Sequence, residues 1–137
     1  MADTLFMLDT NTVSYIIKNT YSSIKERLSS IPMSQICISA ITEAELLRGV
    51  AKKPEAKHLP EAVNQFLLRV ESLTWNSEAA KSYAHLRTLC EKEGKSLGAM
   101  DMLIAAHSLA VGAVIVTNDK AFFRVEHHLL LEDWTKR

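Results

Sequence analysis

The 137-residue chain is long enough for one domain with a buried core, and 16 lysines and arginines balance 16 aspartates and glutamates, so the net charge is zero. This balance excludes the strongly basic surface that marks many proteins binding nucleic acid or membranes, but it leaves room for local positive patches. Cys37 and Cys90 fit neither a zinc motif nor a disulfide framework, and both are expected to be buried hydrophobes. Since neither a signal peptide nor a transmembrane run is recognisable, we expect a soluble, cytoplasmic protein.

Short apolar runs alternate with helical periodicity along the chain. Strands that alternate with helices are typical of a three-layer α/β domain with a mainly parallel central sheet flanked by helices, and we expect a single domain over residues 1–137. The predicted elements, in chain order, are a strand at 4–8, helices at 13–17 and 24–31, a strand at 35–39, helices at 43–49 and 61–70, a strand at 72–75, helices at 77–93 and 101–111, a strand at 113–116, a short helix around 122–123 and a strand at 129–131.

Capping residues predict where several helices begin and end. Thr42 is a favoured N-cap, and Glu45 three residues later completes the pattern of a capping box. Residues 95–100 are expected to form a loop, after which Asp101 opens a helix that is apolar on all sides and therefore buried. Gly112 is expected to end this helix as its C′ residue.

Four carboxylates stand where predicted strands end or helices begin. They are Asp9 after the first strand, Glu45 in the first turns after the second strand, Asp101 at the start of the buried helix and Asp119 after the clearest strand. In a parallel sheet the carboxyl ends of the strands meet at one edge, where ligands usually bind. Each acid alone could equally be a helix cap or a turn residue, and Thr10 or Asn11 could cap the first helix so that Asp9 is free to face a ligand.

Acids gathered at one sheet edge suit a hard divalent cation. Mg²⁺ prefers oxygen ligands and typically takes one or two direct carboxylates, while waters and substrate phosphates fill the other positions. Without a cation the carboxylates would repel one another, so at least one would take up a proton. A bound ion activates water and polarises a phosphodiester oxygen, which is the chemistry of metal-assisted hydrolysis.

Four segments, taken in order, carry a resemblance to a known family. They are Met-Leu-Asp-Thr-Asn at 7–11, Ile-Ser-Ala-Ile-Thr-Glu-Ala-Glu-Leu-Leu-Arg-Gly at 38–49, Gly-Ala-Met-Asp-Met-Leu-Ile-Ala-Ala-His at 98–107 and Val-Thr-Asn-Asp at 116–119. These segments resemble the motifs of PIN-domain ribonucleases and, more closely, those of the VapC toxins of bacterial toxin–antitoxin pairs. The resemblance extends from about residue 5 to Trp134.

The resemblance implies roles for six residues. Asp9, Glu45 and Asp101 would be the core metal-binding and catalytic acids, Asp119 the fourth acid, and Asn11 and Thr117 supporting polar residues beside the metal. Glu45 is preferred to Glu43 because the glutamate of the family precedes a Leu-x-x-Gly segment, which is found here at residues 46–49. Residues two apart on a helix also point in nearly opposite directions, so only one of the two glutamates can face the cleft.

The resemblance also implies an activity and partners. It implies a Mg²⁺- or Mn²⁺-dependent endoribonuclease that cuts RNA, with transfer RNA as the target of some relatives, and so inhibits translation. It further implies a homodimer that is masked by a VapB-like antitoxin. Two alternatives stay open, namely a haloacid-dehalogenase-type phosphatase and a non-catalytic α/β module that binds metal or phosphate. The phosphatase chemistry wants a second aspartate two residues after Asp9, where this chain has Asn11.

Basic residues and histidines give weaker signals. If RNA binds, it is expected to contact Arg48, Lys52 and Lys53, although an ordinary solvated surface is the simpler interpretation. Arg87, on the helix before the third acid, is expected to contact RNA phosphate or to pair with an acid in the cleft, and a structural salt bridge is the alternative.

The histidines are expected to stay outside the site. His107 lies within an apolar helix and is expected to be a core histidine with its polar atoms satisfied. His127 and His128 are adjacent, which is poor geometry for joint chelation, so both are expected to be surface residues.

Overall fold

The computed structural model describes residues 3–136, and a five-stranded sheet forms its centre. The strands are β1 (Phe6–Leu8), β2 (Ile36–Ser39), β3 (Glu71–Leu73), β4 (Val114–Val116) and β5 (Leu131–Glu132). They lie in the order β3-β2-β1-β4-β5, and each neighbouring pair is parallel. β1 and β2 are buried along their whole length, as expected for central strands that helices cover on both faces.

Within the described residues, seven α-helices surround the sheet. They are α1 (Thr10–Lys18), α2 (Ser22–Ser29), α3 (Ala40–Ala51), α4 (Leu59–Arg69), α5 (Ser77–Lys92), α6 (Ala99–Val111) and α7 (Lys120–Phe123). Two short 3-10 helices, Met33–Gln35 and Glu126–His128, precede β2 and β5. Every predicted strand and helix is present with its ends shifted by a few residues, and the predicted α/β class is confirmed.

The two faces of the sheet are covered by different helices. Successive strand residues point to opposite faces, so Phe6 and Leu8 pack with residues of α1, α2 and α4, whereas Met7 between them packs with Ile104 of α6. On the face of Met7, Ile115 of β4 joins residues of α5, α6 and α7 in a further apolar cluster. The result is the predicted three-layer arrangement of helices, sheet and helices.

The strand order creates a cleft at the centre of the sheet. From β1 the chain builds outward through β2 to β3, then crosses back to β4 on the other side of β1 and continues to β5. The connections therefore leave β1 and β4 in opposite directions. In open parallel sheets such a switch point leaves a crevice outside the carboxyl ends of the two strands, and ligands bind there.

All of the described helices except α5 begin two or three residues earlier than predicted, and α3 and α6 show the consequences. The Oγ of Ser39 accepts a hydrogen bond from the Ile41 N–H at 3.1 Å, so Ser39 is the N-cap of α3 and Thr42 is buried in its first turn. The predicted capping box of Thr42 with Glu45 is therefore wrong, because β2 turns into α3 without a connecting residue and the serine at the strand end takes the capping position. Similarly, α6 begins at Ala99, so its first two residues are helical and not part of the predicted loop.

The remaining expectations concern the cysteines, membrane spans and chain ends. Cys37 and Cys90 are both free and buried, and burial raises the pKa of the Cys37 thiol to about 12. Between residues 3 and 136 the structure contains no helix that is both long and apolar enough to cross a bilayer. Residues 1, 2 and 137 of the predicted single domain lie outside the described residues.

Candidate metal centre

Asp9 lies where β1 turns into α1, and its side chain is only 3% exposed. Its Oδ1 accepts a hydrogen bond from the Thr12 backbone N–H at 2.8 Å, so Asp9 itself is the N-cap of α1. The hypothesis that Thr10 or Asn11 takes over the capping is wrong, because the Asp9 carboxylate already satisfies the free N–H at the helix start. The Thr117 side chain, at the end of β4, also hydrogen-bonds to this carboxylate.

The environment of Asp9 opposes its ionisation. Burial raises the pKa of the Asp9 carboxyl, and the nearby charge of Asp119 raises it further. The hydrogen bonds from Thr117 and Thr12 act in the opposite direction, because they stabilise the ionised form. Asp9 is therefore a buried acid held in place by two threonines.

Glu45 is half-buried in the second turn of α3, and it faces α1. The Thr10 hydroxyl donates to Glu45 Oε1 at 2.5 Å, and Thr42 Oγ1 lies 3.4 Å from Thr10 Oγ1. Glu43 points elsewhere, because its Oε1 accepts from the Ser72 hydroxyl on β3 at 2.7 Å. The two glutamates thus diverge, and Glu45 is the one beside the start of α1.

Asp119 and Asp101 complete the group of acids. Asp119 is the N-cap of α7, where its Oδ1 accepts from the Ala121 N–H at 2.9 Å. Asp101 lies in the first turn of α6 and is half-buried. Burial raises the pKa of Asp101 to about 6, and repulsion from the other three carboxylates adds to the effect. The structure therefore brings together all four predicted acids, and we call Asp9, Glu45, Asp101 and Asp119 the acid cluster.

Threonines support the acid cluster more closely than the sequence predicts. Thr117 is buried between two of the acids, since it hydrogen-bonds to Asp9 and its Oγ1 accepts from the Asp119 N–H at 3.0 Å. Thr12 binds Asp9 through its backbone and donates its hydroxyl to the Val116 carbonyl at 3.0 Å. Thr10 and Thr12 are missing from the predicted site.

Asn11, which is in the predicted site, is exposed on the first turn of α1. Thr10 and Thr12 follow Asp9 by one and three residues, and this position is their only signal in the sequence.

The predicted RNA-contacting cations are all exposed. Arg48 lies near the end of α3, with Lys52 and Lys53 directly after that helix. Arg87 on α5 donates to the Tyr83 hydroxyl, its Nε lies 3.7 Å from Glu91 Oε2, and its guanidinium lies over the Tyr83 ring. These contacts hold Arg87 along its own helix.

The acid cluster offers the ligands that a hard divalent ion requires. All four side chains present carboxylate oxygens, and the pKa of Asp101 is raised first by burial and then by repulsion from the other three carboxylates, a repulsion that a bound cation would relieve. Within residues 3–136, the one group of at least three His, Cys, Asp or Glu side chains with ligand atoms all within 4.8 Å of one another is Glu93, His127 and His128. The acid cluster is more widely spaced, which suits an ion that retains waters and substrate oxygens.

The sequence matches the family model of the PIN domain over residues 6–128. Among known proteins, it is 36% identical over 129 residues to a tRNA(fMet)-specific endonuclease VapC from Salmonella typhimurium, covering 94% of this chain and 97% of the relative. It is 35% identical over 133 residues to ribonuclease VapC2 from Rickettsia felis, with 96% and 99% of the two chains covered.

A solved structure gives the same picture for the fold. The DNA-bound VapBC from Salmonella typhimurium contains a chain that matches with a TM-score of 0.87 and 35% identity, covering 96% of this chain and 99% of that chain.

Proposed function

Because the chain belongs to the PIN-domain family and, within it, to the VapC ribonucleases, we propose that it is an endoribonuclease toxin that hydrolyses RNA phosphodiester bonds with Mg²⁺ or Mn²⁺. The observation that carries the proposal is the acid cluster, in which the charges of Asp9, Glu45 and Asp119 all act on Asp101. The alternatives of a haloacid-dehalogenase-type phosphatase and a non-catalytic module gain no support from the family matches.

The acid cluster would hold the divalent ion with its carboxylate oxygens. When bound, such an ion polarises a phosphoryl oxygen and lowers the pKa of a water molecule, which supplies the chemistry for hydrolysis at neutral pH. Asp9 and Asp119 come from the carboxyl ends of β1 and β4, the adjacent strands at the switch point of the sheet. Glu45 and Asp101 approach the same place from the second turn of α3 and the first turn of α6.

The surrounding threonines fix the direction of the carboxylates. The Thr10 hydroxyl donates to Glu45 Oε1 and so orients the Glu45 carboxylate before any ligand binds. Thr117 connects Asp9 with the backbone of Asp119 and thereby ties together the two acids from the adjacent strands. Such hydrogen bonds beyond the ligands orient them and raise metal affinity. We include Thr10 and Thr117 in the proposed site, while Asn11 stays a prediction.

Transfer RNA is the proposed substrate, and an antitoxin is the proposed partner. The Salmonella relative is named a tRNA(fMet)-specific endonuclease, and this chain matches it along nearly its whole length. Arg48, Lys52 and Lys53 supply an exposed positive surface for RNA phosphates. The matching solved chain comes from a VapBC complex, which supports a VapB-like partner. A homodimer, a single domain over residues 1–137 and a cytoplasmic location complete the proposal.

A matched pair of substitutions on α3 tests the assignment. Glu45→Gln should lower the rate of RNA cleavage by roughly 100-fold or more, because it removes a metal-binding charge. Glu43→Gln, two residues away, should leave the rate within about twofold, since glutamine can still accept from Ser72. The rates are measured on transfer RNA with Mg²⁺, and circular dichroism checks that each variant is folded.

A substitution of Asp9 provides the second arm of the experiment. Asp9→Asn retains a side-chain oxygen that can cap α1, so the fold should persist while cleavage is lost. Full activity of Asp9→Asn or Glu45→Gln in a nuclease-free preparation would overturn the proposal. Equal losses in Glu43→Gln and Glu45→Gln would show that the effect on α3 is structural.

A further inference from the structure

A second group of potential metal ligands lies outside the acid cluster. Glu93 is the C-cap of α5, and His127 and His128 belong to the 3-10 helix before β5. The Nε2 atoms of His127 and His128 lie 2.9 Å and 3.0 Å from Glu93 Oε1, and His128 Nε2 also lies 3.1 Å from Oε2. We call these three residues the histidine cluster.

The histidine cluster differs from what the sequence predicts. From the sequence, the adjacency of His127 and His128 predicts poor geometry for joint chelation. In the 3-10 helix the two rings instead lie against each other, with centroids 4.0 Å apart and an interplanar angle of 42°. Both Nε2 atoms are thereby directed at the same carboxylate, and the expectation of poor geometry for joint chelation is wrong.

The arrangement has the dimensions of a metal site. Its three ligand atoms all lie within 4.8 Å of one another. Zinc bonds to nitrogen and oxygen of about 2.0–2.2 Å place the ligands of a tetrahedral ion roughly 3.3–3.5 Å apart, so only a small outward movement from hydrogen-bonding distance is required. The His127 side chain is 45% exposed and that of Glu93 34%, which gives solvent access to a fourth position.

The ligand types differ from those of the acid cluster. Two imidazole nitrogens and one carboxylate oxygen favour borderline transition metals such as Zn²⁺, Co²⁺, Ni²⁺ or Cu²⁺, whereas four carboxylates favour hard cations such as Mg²⁺. We propose that Glu93, His127 and His128 form a second metal site, selective for a Zn²⁺-like ion and separate from the acid cluster. The ion takes the place of the hydrogens between the Nε2 atoms and Glu93, and each ring then binds it as a neutral imidazole that carries its one hydrogen on Nδ1.

The position of the site gives it a structural effect. Glu93 ends α5, which contributes Leu86 and Cys90 to an apolar cluster, and the histidines lie between Val125 and Leu129 of the same cluster. A bound ion therefore connects the end of α5 to the segment that leads into β5. An ion that binds the folded chain but not the unfolded chain stabilises the folded state by mass action, so it should raise the unfolding temperature.

Co²⁺ titration with excess Mg²⁺ present tests the proposal, because the visible spectrum of Co²⁺ reports its ligands and Mg²⁺ occupies the acid cluster. The unmodified chain should bind Co²⁺ and release it to Zn²⁺. Glu93→Gln, His127→Gln and His128→Gln should each weaken Co²⁺ binding by at least about tenfold. His58→Gln and His85→Gln are the matched controls, because both histidines are exposed and lie outside the histidine cluster, and they should change binding by less than about twofold.

The outcomes separate the two sites. Retention of Co²⁺ binding in Asp9→Asn, together with its loss in the three cluster variants, supports the proposal. Unchanged binding in the cluster variants, equal loss in Asp9→Asn, or no Co²⁺ binding by the unmodified chain would each overturn it.

Thermal unfolding keeps the test independent of folding defects. His127 is the most exposed of the three ligands, so His127→Gln is the decisive variant if another fails to fold. Without metal, the His127→Gln variant should unfold at nearly the same temperature as the unmodified chain. Zn²⁺ should raise the unfolding temperature of the unmodified chain but not that of the variant. An equal Zn²⁺-induced rise in both proteins would contradict the proposal.

Discussion

Asp101 carries the electrostatic cost of assembling four acids at one place. Its pKa in the folded chain is raised from 3.8 to about 6, first by burial and then by repulsion from Asp119, Asp9 and Glu45. A carboxyl with a raised pKa binds protons more tightly when folded than when unfolded. The tighter binding of a proton by Asp101 stabilises the folded state below about pH 4, and this stabilisation is lost as the pH rises towards 6. At neutral pH the ionised Asp101 thus destabilises the metal-free fold.

Asp101→Asn should therefore stabilise the metal-free protein while removing its activity. At pH 7 with a chelator present, the free energy of unfolding should increase by about 1 kcal/mol, after allowance for solvent screening of a half-buried carboxylate. Urea denaturation measures the change, and the advantage should shrink as the pH is lowered towards 4. Asp3→Asn, at an exposed position, is the control. A variant less stable than the unmodified chain at pH 7 would contradict this account.

At the residue scale the sequence predicts the acids and, through the family resemblance, Thr117, but not Thr10 and Thr12. An acid after an apolar strand is conspicuous, although it can equally be a helix cap or a turn residue. Thr10 and Thr12 are not conspicuous, since both look like ordinary residues of a helix start. Their partners also lie far along the chain, as Glu45 is 35 residues from Thr10. Such pairs are created by the tertiary fold, and local sequence carries no signal for them.

At the scale of elements, two glycines illustrate opposite demands on the backbone. Gly112 is the C-cap of α6 with φ of 71°, a left-handed conformation that lets the chain turn into β4. Gly49 lies inside α3, where an added Cβ would meet no atom within 4 Å apart from its chain neighbours and the nearby backbone of the helix itself. Alanine is strained in the left-handed region but favoured over glycine in a helix.

The same substitution at the two glycines should therefore have opposite effects. Gly112→Ala should lower the free energy of unfolding by about 1 kcal/mol, and Gly49→Ala should raise it by roughly 0.5–1 kcal/mol. Chemical denaturation of both variants beside the unmodified chain measures the difference. Each variant controls for the added methyl group in the other, and a change of the same sign in both would refute the explanation.

Element types follow from the sequence, but helix starts depend on contacts that it does not reveal. The sequence predicts that Ser39 ends a strand, which is confirmed, and that Thr42 caps the next helix, which is wrong. In the structure Ser39 caps α3 and also lies 2.7 Å from Nδ1 of His107, a buried histidine of α6 whose pKa is lowered by burial. His107 is thus the satisfied core histidine that the sequence predicts. Ser39 and His107, whose hydrogen-bond partners the sequence does not reveal, thus satisfy each other across the fold.

At the scale of the whole molecule, strand order decides which acids become neighbours. Apolar runs and alternating helices predict a parallel sheet and a shared edge for the four acids. They do not predict that β4 lies beside β1, because β4 lies more than 100 residues further along the chain. That adjacency places Asp9 next to Thr117 and Asp119 and creates the switch-point cleft. In the sequence, only the resemblance to the family motifs groups Asp9 with Asp119, because it assigns both acids to one site without any knowledge of the strand order.

The charge of the whole molecule poses a separate question, since a neutral protein must bind a polyanion. Lys52 and Lys53 are exposed just after α3, the helix that carries Glu45, and we propose that they contact RNA phosphates. Each phosphate contact releases counterions, so it contributes to the decrease of binding affinity with salt. The slope of log affinity against log salt concentration therefore counts such contacts.

Replacement of both lysines by glutamine should weaken RNA binding and flatten that slope by about 1.4, since each lost contact to a single strand contributes about 0.7. The measurement uses fluorescence anisotropy of labelled RNA in the Asp9→Asn background, so that the RNA is not cut. Lys18→Gln with Lys25→Gln is the matched control, because those exposed lysines lie on α1 and α2. It removes the same total charge and should leave the slope nearly unchanged. If both double variants flatten the slope equally, net charge governs binding and Lys52 and Lys53 make no particular contact with RNA.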